Sequence, residues 1–245
     1  MKRIAFFAAA VLIAAPADAL AAPGLGSKVY GTEVEKGEFE LESRYGRLTG
    51  GPDDGEWAWV GEAAYGFSDR FYGAVLIEAE REPGFDAEVE AVSVEAVYEI
   101  GQLPGDIGFA VYGEYEATLH GAPDAVEFKA LFEKREGRFD ARLNLIAQRP
   151  LDDAGEWGFG YAAQADWEVA HDVRFGVQAF GDAGDEDGLG GRREAFVGPA
   201  VEFEFDELPV EGELEVGLGY LFAVGAARDD ADGQARFTLE YKTTF

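Results

Sequence analysis

The sequence predicts an all-β protein, a single up-and-down antiparallel transmembrane β-barrel of about twelve strands. Three observations predict it. Apolar and polar residues alternate with period two through run after run of roughly ten residues, the length a tilted strand needs to cross a bilayer. Past the first twenty residues no window approaches a transmembrane helix, because a glycine or a charge interrupts every few residues; a closed barrel is then the structure that can satisfy its backbone inside lipid. The final run sets Phe237, Leu239, Tyr241, Thr243 and Phe245 on one face against Arg236, Thr238, Glu240, Lys242 and Thr244 on the other. Large aromatics opposite charges of both signs fit a strand with lipid on one side and water on the other.

Composition narrows the function classes. A formal net charge of -29 repels nucleic acid and anionic head groups, so neither is an expected partner unless divalent cations bridge them. Disorder often accompanies such a charge, but 47% hydrophobic and 13% aromatic residues are too many for a disordered chain. With no cysteine there is no disulfide framework and no thiolate metal site. Met1-Lys2-Arg3, the apolar run Ile4 to Ile13 and the small residues Ala19 and Ala21 read as a signal peptide over 1–21, too short for an anchor helix of about 20 apolar residues. Residues 22–37 are polar and glycine-bearing and are expected to be a periplasmic lead-in; 38–245 form the barrel.

Each strand follows from its own alternation. Phe39, Leu41 and Tyr45 oppose Glu38, Glu40, Glu42 and Arg44; after the loop Gly50 to Gly55, Trp57, Trp59, Tyr65 and Phe67 share a face opposite Glu62. Phe71, Val75 and Ile77 oppose Tyr72, Leu76, Glu78 and Glu80. Val92, Val94 and Tyr98 oppose Ser93, Glu95 and Glu99; Phe109, Val111 and Tyr115 oppose Tyr112, Glu114 and Glu116. Val126, Phe128 and Phe132 oppose Glu127, Lys129, Leu131 and Glu133, and Phe139, Leu143 and Leu145 oppose Arg138, Asp140, Arg142 and Asn144. Trp157 to Val169 oppose Gln164, Asp166 and Glu168; Phe175 and Val177 oppose Arg174 and Gln178. After an acidic loop from Asp182 to Glu194, Val197, Val201 and Phe203 oppose Glu202 and Glu204, and Leu214 to Val224 oppose Glu213 and Glu215. Pro199 falls mid-strand, where it removes a ladder donor, and predicts a bulge or bend.

Tyr65-Gly-Phe-Ser-Asp-Arg-Phe71 resembles a tyrosine-glycine-hydrophobic-Ser/Thr-Asp-Arg hairpin that recurs in proteobacterial outer-membrane barrels, among them porin-like families associated with phenol-degradation pathways. The C-terminal strand likewise resembles that of bacterial outer-membrane barrels. The resemblance implies a cell outer membrane location, contact with outer-membrane lipid and lipopolysaccharide, and recognition of Phe245 by the barrel-assembly machinery.

Loop lengths and aromatics orient the barrel consistently. Tight connections near Ser68, Glu136 and Ala170 fall on the periplasmic side; the long acidic ones near Asp53, Asp152, Asp185 and Asp229 fall outside. Trp57, Trp59, Tyr115, Phe128, Trp157 and Phe222 would ring the outer interface, and Phe39, Phe67, Phe71, Phe139, Trp167, Phe175 and Phe245 the inner one. The competing fold is a soluble sandwich or lipocalin-like barrel with the aromatic stripe in its core.

Chemistry is sparse. His120 and His171 sit at opposite rims, and no serine has a base on a nearby strand at its height, so no catalytic residue is expected. Asp182-Ala-Gly-Asp-Glu-Asp-Gly188 is acidic, but the twelfth position counted from Asp182 is Arg193 and from Asp185 is Phe196, where a calcium loop needs Glu; neither a metal nor a cofactor site is expected. The lumen is the informative surface. Glu62, Glu78, Glu80, Glu95, Glu99, Glu114 and Glu116 line four consecutive strands, while Lys129, Arg138, Arg142 and Arg174 gather on the next part of the wall and Arg236 and Lys242 flank the seam. Such a lumen predicts passive diffusion of small polar solutes, with cations favoured by the carboxylate excess. The alternatives are a non-conducting structural or surface-interaction barrel whose acidic loops bind divalent cations, and a soluble periplasmic β-protein.

Overall fold

Glu38 begins the first of thirteen antiparallel strands in a computed structural model, which describes residues 23–206 and 208–245. The expected signal peptide lies outside the described residues. The strands are β1 (Glu38–Thr49), β2 (Trp57–Ser68), β3 (Phe71–Arg81), β4 (Glu88–Leu103), β5 (Ile107–Thr118), β6 (Ala125–Glu136), β7 (Phe139–Pro150), β8 (Gly158–Ala170), β9 (Val173–Asp185), β10 (Gly188–Leu189), β11 (Glu194–Phe205), β12 (Glu213–Gly225) and β13 (Gly233–Thr244). Twelve of them make the ring. The two-residue β10 only folds back on β9 to make a hairpin of the acidic loop that the sequence left irregular. Neighbours in sequence are neighbours in the sheet, β9 pairs with both β8 and β11, and β13 pairs with β1 from Glu38↔Thr244 to Thr49↔Gly233. That last ladder closes the barrel and leaves none of the twelve with a free edge.

The inside–outside alternation agrees with the sequence on every strand. Phe67 is 59% exposed, Val75 56%, Trp167 51%, Phe175 52% and Phe222 55%. Opposite parities are buried: Leu76, Val97, Leu131, Glu62, Glu95 and Asn144. A water-soluble sandwich would bury the first set, so that alternative falls: an apolar outer belt around a charged interior is the arrangement of a membrane barrel. Aromatics cluster at both edges of the belt. Tyr45 and Trp57 lie 5.9 Å apart and Phe128 and Trp157 6.2 Å apart toward the long loops, while Phe67 and Phe71 are 5.8 Å apart and Phe139 and Trp167 6.1 Å apart toward the tight turns.

Connections at one end are tight, as at 69–70, 137–138 and 171–172; those at the other are long, as at 50–56, 151–157, 186–193 and 226–232. Pro199 is not a bulge: β11 keeps one register with β9 throughout, and its ladder with β12 lapses at Gly198 and Pro199 and resumes at Ala200 unshifted. A lost donor here leaves a gap in the ladder instead of a kink. Register shifts occur elsewhere, at Glu78/Ala79 between β3 and β4, at Glu99/Gly101 between β4 and β5, and at both ends of the β8–β9 pairing.

The largest departure concerns residues 23–37. The segment expected to lead in from the periplasm lies inside the barrel, with Leu25, Val29, Tyr30 and Thr32 buried. It turns into the bore at Gly37, whose φ of 86° favours glycine. There Gly37 N–H donates to the Gly66 carbonyl at 2.8 Å, and a Cβ on Gly66 would overlap the Glu35 carbonyl oxygen. Glycine on β2 therefore makes the doorway through which the segment passes.

Candidate functional site: the partitioned lumen

Even-numbered residues of β1 and β2 point inward, which brings Glu40, Glu42, Arg44 and Glu62 together on one wall. The Lys28 ammonium of the inner segment sits among them, 3.1 Å from Glu40, 2.8 Å from Glu42 and 3.1 Å from Glu62. Arg44 lies 2.6 Å from both Glu42 and Glu62 and donates from Nε to the Gly26 carbonyl at 2.9 Å. Carboxylates buried this deeply need such partners, since removing charge from water costs several kcal/mol per ion, roughly, unless it is paired.

Tyr30 follows on the facing wall. Its N–H donates to Asn144 Oδ1 at 2.7 Å and its carbonyl accepts from Asn144 Nδ2 at 3.0 Å, so one side-chain amide from β7 replaces a strand partner. Its hydroxyl donates to Glu95 at 2.7 Å, and Tyr72 and Tyr112 donate to the same carboxylate at 3.1 and 2.8 Å. Lys129 lies 4.3 Å from the Tyr30 ring centre and 4.1 Å from that of Tyr112, a cation–π arrangement that adds to its ion pair with Glu127 at 2.8 Å. Thr32 donates from its N–H at 2.7 Å and its hydroxyl at 3.0 Å to Glu133, which Arg142 approaches to 3.2 Å. Gln234 of β13 donates to the Pro23 carbonyl at 2.9 Å, and Arg236 donates to that of Ser27.

The segment therefore crosses the bore from β6 and β7 to β1 and on toward β9 and β13, leaving two compartments. Toward the tight turns, a cavity of about 350 Å³ opens beside β7–β13. Six cationic side chains line it, among them Arg142, Arg174, Arg236 and Lys242, and six carboxylates match them, among them Asp140, Glu202 and Glu215. Toward the long loops, Glu78, Glu80, Glu114 and Glu116 stand on β3 and β5 with no ion pair to a cation among the described residues. On the other side of that end an apolar cluster fills the bore: Leu25 packs with Leu48, Phe180, Phe196, Leu221 and Ala227, the last from the 3-10 turn Ala226–Asp229 that folds inward. Residues 26–29 stand between the compartments, with a Cβ on Gly26 3.7 Å from Glu78 and Lys28 and Val29 on the cavity wall.

The expected pore-lining carboxylates fall into three groups. Glu62 and Glu95 are inward and committed to the segment; Glu78, Glu80, Glu114 and Glu116 are inward and unpaired with cations; Glu99 is half-buried near the turn end of β4. Lys129, Arg142, Arg174, Arg236 and Lys242 are inward, but Arg142 pairs with Asp140 at 2.8 Å, Arg174 with Asp166, and Lys242 with Glu215 at 2.8 Å. The expected separation of an acidic stretch of wall from a basic one is thereby corrected to local pairs plus one uncompensated acidic patch. Arg138 is corrected as well: it lies in the β6–β7 turn, exposed, outside the bore. Sequence reasoning missed Lys28, Tyr30 and Thr32; the signal was a carboxylate excess at Glu42 and Glu62 that one arginine could not balance.

His120 and His171 occupy opposite ends, and the Ser43 hydroxyl accepts from Trp59 on the lipid side at 2.9 Å. In the acidic hairpin, Asp182 accepts from the Gly184 amide and Asp185 from those of Asp187 and Gly188, with Arg193 3.4 Å from Asp185. Glu40, Glu42 and Glu240 lie close enough to share an ion, but Lys28 already bridges the first two.

Neither models of known protein families nor curated proteins give a match to the chain. Solved structures do. An outer membrane channel from Pseudomonas putida F1 superposes with a TM-score of 0.56 at 14% identity, over 91% of this chain and 99% of that one. KdgM porin gives 0.54 at 11% identity and NanC porin 0.54 at 10%, each over 84% of this chain and 99% of its own. The fold is that of outer-membrane porin barrels.

Proposed function

We propose that the protein is a porin-like channel of the outer membrane, passing small polar solutes by passive diffusion and favouring cations. The cavity of about 350 Å³ carries this reading: a water-accessible space lined mostly by charged side chains, inside a wall whose other face is apolar, has no use in a merely structural barrel. The uncompensated Glu78, Glu80, Glu114 and Glu116 at the long-loop end support a cation preference, because in their ionised form their field attracts cations within about a Debye length, ~8 Å at physiological salt. One similar barrel is KdgM porin in complex with disordered oligogalacturonate; an acidic mouth argues against such polyanions here. Catalysis is no part of the reading.

Outer-membrane lipid and lipopolysaccharide would surround the belt, and the barrel-assembly machinery would read the β13 strand through Phe245. Refolded protein in planar bilayers tests the function. Discrete conductance with reversal potentials on the cation side is the expected result, and reversal on the anion side overturns the preference. A second reading, a non-conducting barrel, is favoured by the apolar cluster of Leu25, Phe180, Phe196 and Leu221 across part of the bore; absence of conductance from correctly folded barrels would select it.

A further inference from the structure

We propose that residues 24–36 are a movable partition that sets the ion selectivity of the bore, an inference that rests on the channel reading. The segment is held differently from every strand. Its backbone joins the wall by backbone–backbone hydrogen bonds only at its C-terminal end, among the described residues: at Gly37, and from the Glu38 N–H to the Glu35 carbonyl at 3.4 Å. Everything else that holds it comes from side chains: Asn144 and Glu133 on its amides, Arg44 and Arg236 on its carbonyls, and the Lys28 and Tyr30 contacts. A strand leaves a barrel only by breaking two ladders; this segment can leave by exchanging polar side-chain partners for water and exposing Leu25 and Val29.

What it leaves behind decides the consequence. Lys28 is the only cation besides Arg44 within ion-pair distance of Glu42 and Glu62, and Glu40 has no other ion-pair partner among the described residues. Withdrawal of Lys28 and Tyr30 turns Glu40, Glu42, Glu62 and Glu95 toward the open bore. It also removes the barrier at residues 26–29, joining the acidic mouth to the charge-balanced cavity. With the segment in place a solute meets matched charges in the cavity; with it displaced, an acidic path runs from the mouth past Glu40, Glu42, Glu62 and Glu95 into a cavity that has lost Lys28. The docked state therefore favours small neutral or zwitterionic solutes with modest cation preference, and the displaced state strongly favours cations.

Four proteins test this, all refolded and measured in planar bilayers: the wild type, a variant lacking residues 24–35, a Gly26→Cys/Ala58→Cys pair and a full-length Lys28→Ser/Tyr30→Ser variant. A Cβ at Gly26 would stand 3.3 Å from that of Ala58, near the roughly 3.8 Å a disulfide uses, and the chain has no other cysteine. Mass spectrometry of the oxidised pair reports the docked segment without any need for current. Deletion is expected to raise conductance and to raise the cation-to-anion permeability ratio by a factor on the order of three or more; the oxidised pair is expected to stay at or below wild-type conductance. The full-length Lys28→Ser/Tyr30→Ser variant, which keeps the chain and loses two anchors, is expected to move the same way by less. If the cross-link forms and the deletion conducts with wild-type amplitude and ratio, the partition is overturned. If the cross-link forms and neither wild type nor deletion conducts, the channel reading itself has failed and takes the partition with it.

Discussion

At residue scale, Lys28 and Asn144 are two of the groups that hold the inner segment. Lys28→Met would leave Glu40 without an ion-pair partner and Glu42 and Glu62 sharing Arg44; stranding buried carboxylates costs about 3 kcal/mol. Amide exchange of residues 24–36 should accelerate on the order of a hundredfold, at about 1.4 kcal/mol per tenfold, while the β-ladders stay protected. Asn144→Ala would remove the donor and the acceptor that pair with Tyr30, for about 1–3 kcal/mol of the same loosening. Glu56, in the 50–56 loop, has its carboxyl pushed up to about 7 by burial and then by Asp53, Glu80, Glu82 and Glu194. The folded loop thus binds a proton that the unfolded chain releases near 4.5. Stability from this group is present at low pH and declines as pH rises from about 4.5 to about 7. Protection of loops 50–56 and 226–232, joined by the Asp53 N–H to Asp230 carbonyl bond at 3.0 Å, should be greater at pH 5 than at pH 8, and Glu56→Gln should flatten that difference.

At element scale the strands were legible and the segment was not, for a physical reason. A strand between lipid and water must alternate, so its period is written residue by residue, and all twelve ring strands and their parities could be read. The 23–37 segment touches carboxylates, an asparagine and an apolar cluster in turn, and that mosaic imposes no period. Arg44 shows the same limit within the site: its inward direction follows from parity, but which carboxylate it meets depends on height around a tilted cylinder. Pro199 leaves the register intact, because one missing donor costs less than shifting a whole ladder, whereas Glu78/Ala79 and Glu99/Gly101 shift with no proline inside the paired strands. The terminal strand offers a separate prediction. Phe245 is 86% exposed and its backbone N–H reaches the Gly37 carbonyl at 3.0 Å. Phe245→Ala should leave in-vitro thermal stability within about 0.5 kcal/mol, while lowering the amount of folded barrel recovered from the outer membrane of cells. A large in-vitro loss with normal cellular assembly would refute a recognition role for that ring.

At the scale of the whole molecule, closure dominates. A ring of twelve ladders should resist detergent until heated and run on gels at two mobilities; a single heat-independent band would contradict the closed barrel. The pairing of β1 with β13 also has a kinetic consequence. It joins residues some two hundred positions apart, and loop-closure entropy together with a contact pattern this non-local makes the joining step slow. Until it happens, two long strands rich in Phe, Leu and Tyr present unsatisfied amides and carbonyls to any passing chain, the condition under which β-proteins aggregate. Shielding those two margins during transit is therefore a demand the sequence places on its cell, whatever solute the finished barrel carries.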